Sequence, residues 1–382
     1  MIHSLLFVLG TRPEAIKLAP LIFRLRNNAS NRVFVCNTGQ QSELSAQALG
    51  YFGLSADCNL DSMRHGQTLE EVQGRIMAGL ADLHRNQAFD AVIVQGDTIS
   101  AFCGALSGFY QRVPVFHVEA GLRSYNLDEP FPEEGLRQLI SRIASLHFAP
   151  TEKSRQHLLH EGIAEDAVYV TGNTVIDALY SLPEAALGAA YGKLAELGIE
   201  PHDKIVLLTA HRRENHGQRL HDIIGGVLEL AGRWPDHQFI CPVHPNPKVH
   251  DTIYAALGGI RNVTLTKPLD YPELVAILKI AKLVLTDSGG IQEEAPCFGS
   301  PVLVLRHETE RMEGIAAGMA KLVGTDRDVI VAEANSILGV DKSASRLDVS
   351  RNPYGQGQAA STIESILGKY WPVDDSKVVE DA

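Results

Sequence analysis

The chain has 382 residues, 45% of them apolar and 21% charged. That is the balance of a folded protein of two or three domains, not of a disordered chain. A formal net charge of −12, from 34 Lys+Arg against 46 Asp+Glu, argues against nonspecific binding to nucleic acid or to an anionic membrane, since both need a basic surface. A small anionic ligand held by a few clustered cations remains compatible with it.

Short apolar runs alternate with amphipathic stretches along most of the chain. Residues 4–9, 32–37, 91–95, 114–118, 146–149 and 168–171 are predicted strands, with helices over 15–28 and 69–85 between them. A second series follows at 204–209, 238–242, 262–266, 283–286, 301–305 and 321–323, with a helix over 220–233. Runs such as Ala-Val-Ile-Val are apolar on both strand faces, as a parallel sheet covered on both sides by helices requires. The alternation pauses between about 174 and 203, where 179–197 is rich in Ala and Leu. A hinge is placed at 173–203. The fold class expected is α/β, with two Rossmann-like, doubly wound domains. Their bounds are 1–173 and 174–351, followed by a late helical stretch within 352–372 and a polar tail over 373–382.

The five cysteines, Cys36, Cys58, Cys103, Cys241 and Cys297, form no CxxC pair. That spacing points away from a zinc knuckle or a disulfide framework and towards reduced thiols. The apolar run at 5–9 is too short to span a membrane and lacks the flanks of a secretion signal. A cytoplasmic location with no membrane partner is expected.

Open parallel sheets bind ligands beyond the carboxyl ends of their strands. The polar clusters fall there: Gly10-Thr11-Arg12, Gln95-Gly96-Asp97-Thr98 and His117-Val118-Glu119 in the first half, His211-Arg212-Arg213-Glu214-Asn215, Val243-His244-Pro245 and Asp287-Ser288-Gly289-Gly290 in the second. Two domains with polar strand ends imply a cleft between them. At Asp287–Glu294 small residues let backbone approach a ligand, and N–H groups at a helix start favour phosphate. Ser288 adds a hydroxyl, and Glu294 could accept from ribose hydroxyls. A simple helix cap with first-turn acids explains the same residues. His211 and its neighbours could grip phosphate oxygens or shuttle a proton; a surface loop with internal Arg–Glu pairs is the plainer alternative. Arg12 and Lys17 read either as cleft cations or as a solvated helix face. His244 reads as a weaker site candidate or as a loop residue.

Asp97, Glu119 and Glu133 are carboxylates at or after first-domain strand ends. Several carboxylates in one cleft can supply both an acid and a base. Taken singly, Asp97 could cap a helix, and Glu133 could pair with Arg137 four residues on. Neither a Walker A sequence nor a strand-linked GxGxxG is present, so a nicotinamide cofactor is not expected.

In their order, Gly10-Thr-Arg-Pro-Glu-Ala-Ile-Lys17-Leu-Ala-Pro20, Gln95-Gly-Asp-Thr98, His117-Val-Glu-Ala-Gly-Leu-Arg123, Pro132-Glu-Glu134, His211-Arg-Arg-Glu-Asn215, Asp287-Ser-Gly-Gly-Ile-Gln-Glu-Glu-Ala-Pro296 and Glu308-Thr-Glu-Arg311 closely resemble the non-hydrolysing UDP-N-acetylglucosamine 2-epimerases. The resemblance covers about residues 4–370. It implies the glycosyltransferase-B architecture, with a C-terminal helix in 352–372 that returns to the first domain, and a cytoplasmic homodimer without metal or organic cofactor. It also implies interconversion of UDP-GlcNAc and UDP-ManNAc by anti elimination of UDP and re-addition through 2-acetamidoglucal, supplying surface polysaccharides. A relative acting on another UDP sugar, such as a diacetamido-glucuronate, is the alternative.

By the same resemblance Asp97, Glu119 and Glu133 match acid/base positions. Arg12, Lys17, Arg137 and His211 match positions that hold or neutralise the departing diphosphate, with His211 also counted as catalytic. Ser288, Gly289, Gly290, Glu294 and Arg311 match nucleotide-binding positions, and Leu269 and Leu274 would wall the uracil. Two residues depart from the pattern. Met312 stands where the family usually has Pro after Arg, and Gly66 precedes Gln67-Thr-Leu69 where many members carry an Arg used in a second, regulatory site.

Overall fold

The computed structural model describes residues 2–64, 66–201 and 204–371; the expected polar tail lies outside them. The chain divides into two compact units, Met1–Ser181 with Gly355–Ala382, and Leu182–Tyr354. Both dividing points fall slightly later than the sequence suggests, so residues 174–181, placed with the second domain by the sequence, belong to the first.

The first unit runs β1 (His3–Leu9), α1 (Arg12–Arg26), β2 (Asn31–Asn37), α2 (Ser42–Tyr51), β3 (Cys58–Asn59), α3 (Leu69–Asn86) and β4 (Ala91–Gln95). It continues with α4 (Ile99–Tyr110), β5 (Val115–Val118), α5 (Glu133–Ile143), β6 (Leu146–Ala149), α6 (Glu152–His160), β7 (Val168–Val170) and α7 (Thr174–Ser181). Its strands form one parallel sheet in the order β3-β2-β1-β4-β5-β6-β7. The direction of winding reverses between β1 and β4, where such sheets open a crevice at their carboxyl edge. Strand β3 was not foreseen. It is two residues long, too short for any periodicity to show.

The second unit runs α8 (Glu184–Glu196), β8 (Ile205–Thr209), α9 (Gln218–Arg233), β9 (Gln238–Pro242), α10 (Pro247–Leu257), β10 (Val263–Thr266) and α11 (Tyr271–Ile280). After these come β11 (Leu283–Thr286), α12 (Gly289–Glu294), β12 (Val302–Val304), α13 (Met312–Ala316), β13 (Ala320–Leu322), α14 (Arg327–Leu338) and α15 (Lys342–Ser345). The sheet is again parallel, ordered β10-β9-β8-β11-β12-β13, with its reversal between β8 and β11.

Alternation along β8 shows why the sheet must be covered twice. Val206 and Leu208 enter one apolar cluster with Leu230 of α9 and Ile330 of α14. Ile205 and Leu207 enter the opposite one with Leu194 of α8 and Ile277 of α11. Each such side chain contributes about 1.5–3 kcal/mol when fully buried, so neither face can be left to water. The last helix, α16 (Ala359–Tyr370), belongs to the first unit. Its opening N–H groups at Ala359 and Ala360 donate to the Asp177 carboxylate of α7 at 3.1 and 2.9 Å. Glu364 pairs with Arg24 of α1 at 2.8 Å. These ties, with the packing of α7 on α1, keep residues 174–181 with the first sheet.

Candidate functional site

In the first unit the loops after β1, β4 and β5 lie together at the carboxyl edge. Helix α1 opens with a capping box: Thr11 accepts from the Glu14 N–H, and Glu14 accepts from the Thr11 N–H at 2.8 Å. Pro13 occupies the first turn, where its missing N–H costs nothing. The second Glu14 oxygen accepts from Thr98 Oγ1 at 2.6 Å, which ties the β1 loop to the β4 loop. Burial raises the Glu14 pKa, and the bonds from Thr98, Thr11 and Gly10 only partly oppose it. Arg12 stands first in α1, half-buried, its N–H on the Gln41 side-chain oxygen at 3.1 Å.

Thr98, not Asp97, caps α4, accepting from the Ala101 N–H at 3.0 Å. Asp97 is therefore released from that local role, and its carboxylate pairs with Arg137 of α5. Arg137 also lies 3.3 Å from Glu134. The two adjacent glutamates that open α5 have separate fates. Glu134 is buried and accepts from the Ser124 and Tyr125 N–H groups at 2.9 and 3.1 Å. Burial would raise its pKa, but those N–H bonds, Gln138 and Arg137 bring it below the ordinary value. Glu133 is half-buried, and the pairing with Arg137 considered from its spacing does not form.

Glu119 is held most tightly. Its backbone takes φ 60°, the left-handed region that costs a side-chain-bearing residue on the order of 1–3 kcal/mol and recurs at functional sites. Its buried carboxylate accepts from Lys17 Nζ at 2.6 and 2.7 Å, from Asn173 Nδ2 at 3.0 Å, and from Gln95 Nε2. Lys17 and Arg137, matched above to diphosphate positions, are thus each paired with a carboxylate. From the sequence, Gln95 stands only within a polar strand-end cluster, with no role of its own, and Asn173 is not named. The signal available was a polar residue closing an apolar strand at 95 and another just after the last strand of the first series. Arg123, from the same motif as Glu119, is a fastener: it holds Glu161 with two bonds at 2.7 and 2.8 Å and Ser141 at 2.9 Å.

In the second unit the loops after β8, β9 and β11 come together. Asp287 is fully buried. Its Oδ2 accepts from the His211 and Arg212 N–H groups at 2.8 and 2.9 Å and from Asn215 Nδ2 at 3.0 Å. Its Oδ1 lies 3.2 Å from His211 Nδ1. Burial works to raise the Asp287 pKa, but His211 and the two N–H bonds hold it below the usual value. The His211 ring stacks on His244 with centroids 5.8 Å apart. Glu214 pairs with Arg306 at 3.0 Å rather than with the neighbouring Arg213.

Ser288 precedes α12, but its hydroxyl makes no capping bond, so the plain helix-cap explanation of that serine is not what the structure holds. At Gly289 an added Cβ would sit 3.1 Å from the Arg311 guanidinium, so a larger residue there would have to displace that side chain by a few tenths of an ångström. Gly290, the next residue, would bring a Cβ 3.5 Å from Glu294. Arg311 is fixed by Glu293 at 2.9 Å and lies 3.4 Å from Glu310; Met312 beside it begins α13. Glu310, between Arg311 and Arg306, is held down to about 2 against the opposing effect of burial. Leu269 is buried in the second unit's apolar cluster with Ile277 and Ile291, and Leu274 packs partly buried against that cluster. Among the described residues no group of three or more His, Cys, Asp or Glu could hold a metal ion, and no helix is long and apolar enough to cross a membrane.

Two doubly wound parallel sheets, with chemistry-bearing loops at the carboxyl ends of both, define an α/β protein of the glycosyltransferase-B class. The family model described as UDP-N-acetylglucosamine 2-epimerase matches residues 24–368. The UDP-N-acetylglucosamine 2-epimerase of Neisseria meningitidis is 43% identical over 96% of this chain and 99% of its own length. The enzyme of that name from Escherichia coli K12 is 43% identical over 95% of this chain and 98% of its own. The crystal structure of the Neisseria enzyme bound to UDP-GlcNAc superposes with a TM-score of 0.85 at 41% identity, covering 96% of this chain and 100% of that one. This chain belongs to the UDP-N-acetylglucosamine 2-epimerase family.

Proposed function

We propose that this chain interconverts UDP-GlcNAc and UDP-ManNAc by inverting C2, with UDP eliminated and re-added through 2-acetamidoglucal. The chemistry sets the demand. No carbonyl is attached to C2, so its proton is not acidic, and direct abstraction would leave an unstabilised carbanion. Anti elimination removes that obstacle by coupling loss of the proton to departure of the diphosphate. Re-addition with a proton delivered to the other face of C2 gives the epimer. The reaction therefore needs an acid/base set and a strong stabiliser of a leaving diphosphate.

The observation that carries the reading is the first unit's carboxylate set. Asp97 paired with Arg137, Glu119 paired with Lys17 and strained at its backbone, and Glu133 at the start of α5 stand at one sheet edge. Several carboxylates at one edge are what an acid/base pair is drawn from. In this reading Lys17 and Arg137 are paired with carboxylates before substrate arrives, and Arg12 and His211 are the groups that meet the diphosphate. Ser288, Gly289, Gly290, Glu294 and Arg311 take the nucleotide, with Leu269 and Leu274 against its base. Crystal structures of relatives that carry UDP-GlcNAc, one of them also UDP, support a nucleotide-sugar ligand. We further propose a cofactor-free homodimer in the cytoplasm that supplies polysaccharide precursors.

Incubation with UDP-GlcNAc in deuterated water, followed by NMR, tests the reaction. UDP-ManNAc carrying deuterium at C2 is expected, without added NAD or metal. A substrate that keeps its C2 proton throughout would overturn the proposal.

A further inference from the structure

The loop after β8 and the loop after β11 share one carboxylate, and its two oxygens do different things. Asp287 Oδ2 accepts three neutral donors, the N–H groups of His211 and Arg212 and the side-chain amide of Asn215. That oxygen shapes the 211–215 loop. Oδ1 has the His211 imidazole as its neighbour, with Nδ1 at 3.2 Å. The carboxylate is fully buried, and its pKa lies below the ordinary value, so it is an acceptor only. A buried acceptor facing a ring nitrogen fixes which nitrogen carries the proton.

We propose that Asp287 is the positioning residue of His211: it holds the ring as the Nδ1–H tautomer, directs Nε2 away from the carboxylate and towards ligand, and stabilises the imidazolium when Nε2 takes a proton. The inference rests on the reading of His211 as the diphosphate-facing group. His244 completes the arrangement. Its ring stacks on His211, and its Nδ1 accepts the Asn246 N–H at 3.1 Å, so this ring too is fixed in one tautomer. Burial, with His211 and His216 nearby, lowers the His244 pKa. The stacked plate is therefore less ready than an ordinary histidine to take a positive charge beside His211, although Asp287 works in the other direction.

Asp287→Asn separates the two oxygens' roles. The asparagine carbonyl can still accept the three loop donors, while its NH2 turns to Nδ1 and donates. That demands the opposite tautomer, with the proton on Nε2. Turnover by Asp287→Asn is expected to fall by about 10²-fold or more, with KM changed less than about threefold. His211→Asn gives the reference loss. The double variant is expected to be no slower than His211→Asn alone within about twofold, because residues acting as one unit are not additive. Side-chain ¹⁵N NMR of the histidine-labelled protein, with His211 assigned by its disappearance in His211→Asn, is expected to show Nδ1 protonated in the unsubstituted protein and Nε2 protonated in Asp287→Asn.

An unsubstituted protein with a bare Nδ1 would overturn the proposal. So would a full second loss of turnover when Asp287→Asn is added to His211→Asn. The first of these needs no variant to fold beyond the one used for assignment and no substrate at all. Failure to epimerise UDP-GlcNAc would refute the proposed function instead, and the spectrum would still decide this one.

Discussion

Lys17 can be the partner of Glu119 or a cation held ready for a leaving diphosphate, and stability without ligand tells the two apart. Lys17→Met keeps the length of the stem and removes the ammonium. Glu119 would then lose its ammonium partner and keep the amides of Asn173 and Gln95, with its side chain 4% exposed. Removing one partner of a buried ion pair costs about 3–5 kcal/mol, because the remaining charge is left uncompensated. Lys17 is 14% exposed, which admits some water and places the expectation near the lower end, about 3 kcal/mol. Glu119→Gln alone should cost about 1 kcal/mol, since Lys17 can swing its head towards solvent and the new amide can still accept.

The assay is urea unfolding read at a single tryptophan. The chain has two, and each reports on a different unit: Trp371 stacks on His3 and meets Phe116 edge-on, while Trp234 bonds to Asn335. In a Trp234→Phe background the fluorescence follows the first unit alone. With a slope of about 3 kcal/mol per molar urea, Lys17→Met should lower the midpoint by about 1 M. The double variant with Glu119→Gln should regain at least about 2 kcal/mol relative to the sum of the single effects, because no unpaired charge is left. A midpoint shift below about 0.2 M, or additive single effects, would refute the pairing as a structural element and return Lys17 to the diphosphate.

Two further expectations follow from other parts of the chain. Burial lowers the pKa of His117 to about 3 and that of His147 to about 4, so below the ordinary 6.5 the unfolded chain takes up protons that the folded chain refuses; stability is full above pH 6.5 and falls towards pH 4 by up to about 1.4 kcal/mol per pH unit for each histidine. His147→Phe should remove its share of that slope, and an unchanged slope would count against the buried neutral ring. Separately, Gly66 offers no charge to a second diphosphate, and Arg64 is turned onto the Asp61 and Met63 carbonyls at 2.7 Å, so the reverse reaction from pure UDP-ManNAc should start without a lag; a lag abolished by a trace of UDP-GlcNAc would show that a regulatory site persists.

What the sequence made legible was set by local chemistry. Twelve apolar runs named in advance correspond to strands, and those buried on both faces, such as β4 and β8, carry the plainest pattern. Strand β3 escaped because two residues carry no pattern. The start of α1 at Arg12 rather than Ala15 was foreshadowed by Thr11, Pro13 and Glu14, whose capping roles are local and readable. Partnerships are different in kind. Lys17 and Glu119 are 102 residues apart and Asp97 and Arg137 are 40 apart; no spacing rule reaches across such a distance, and only the winding of the sheet brings them together.

The same contrast explains why adjacent residues of one motif part company. Glu133 and Glu134 are indistinguishable as composition, yet successive positions on a helix face 100° apart. One turns to the Ser124–Tyr125 backbone and becomes a structural acceptor; its neighbour stays half-buried and available. Arg123 and Glu119, four residues apart in another motif, divide in the same way: the arginine closes on Glu161 and Ser141, and the glutamate is bent into the left-handed region and surrounded by donors. A motif in this fold is therefore a mixture of groups that act and groups that hold the acting ones in place. A sequence gives the mixture. Burial, backbone angle and hydrogen-bond partners give the division: in the first unit Gln95 and Asn173 hold Glu119, and in the second Asp287 holds the 211–215 loop.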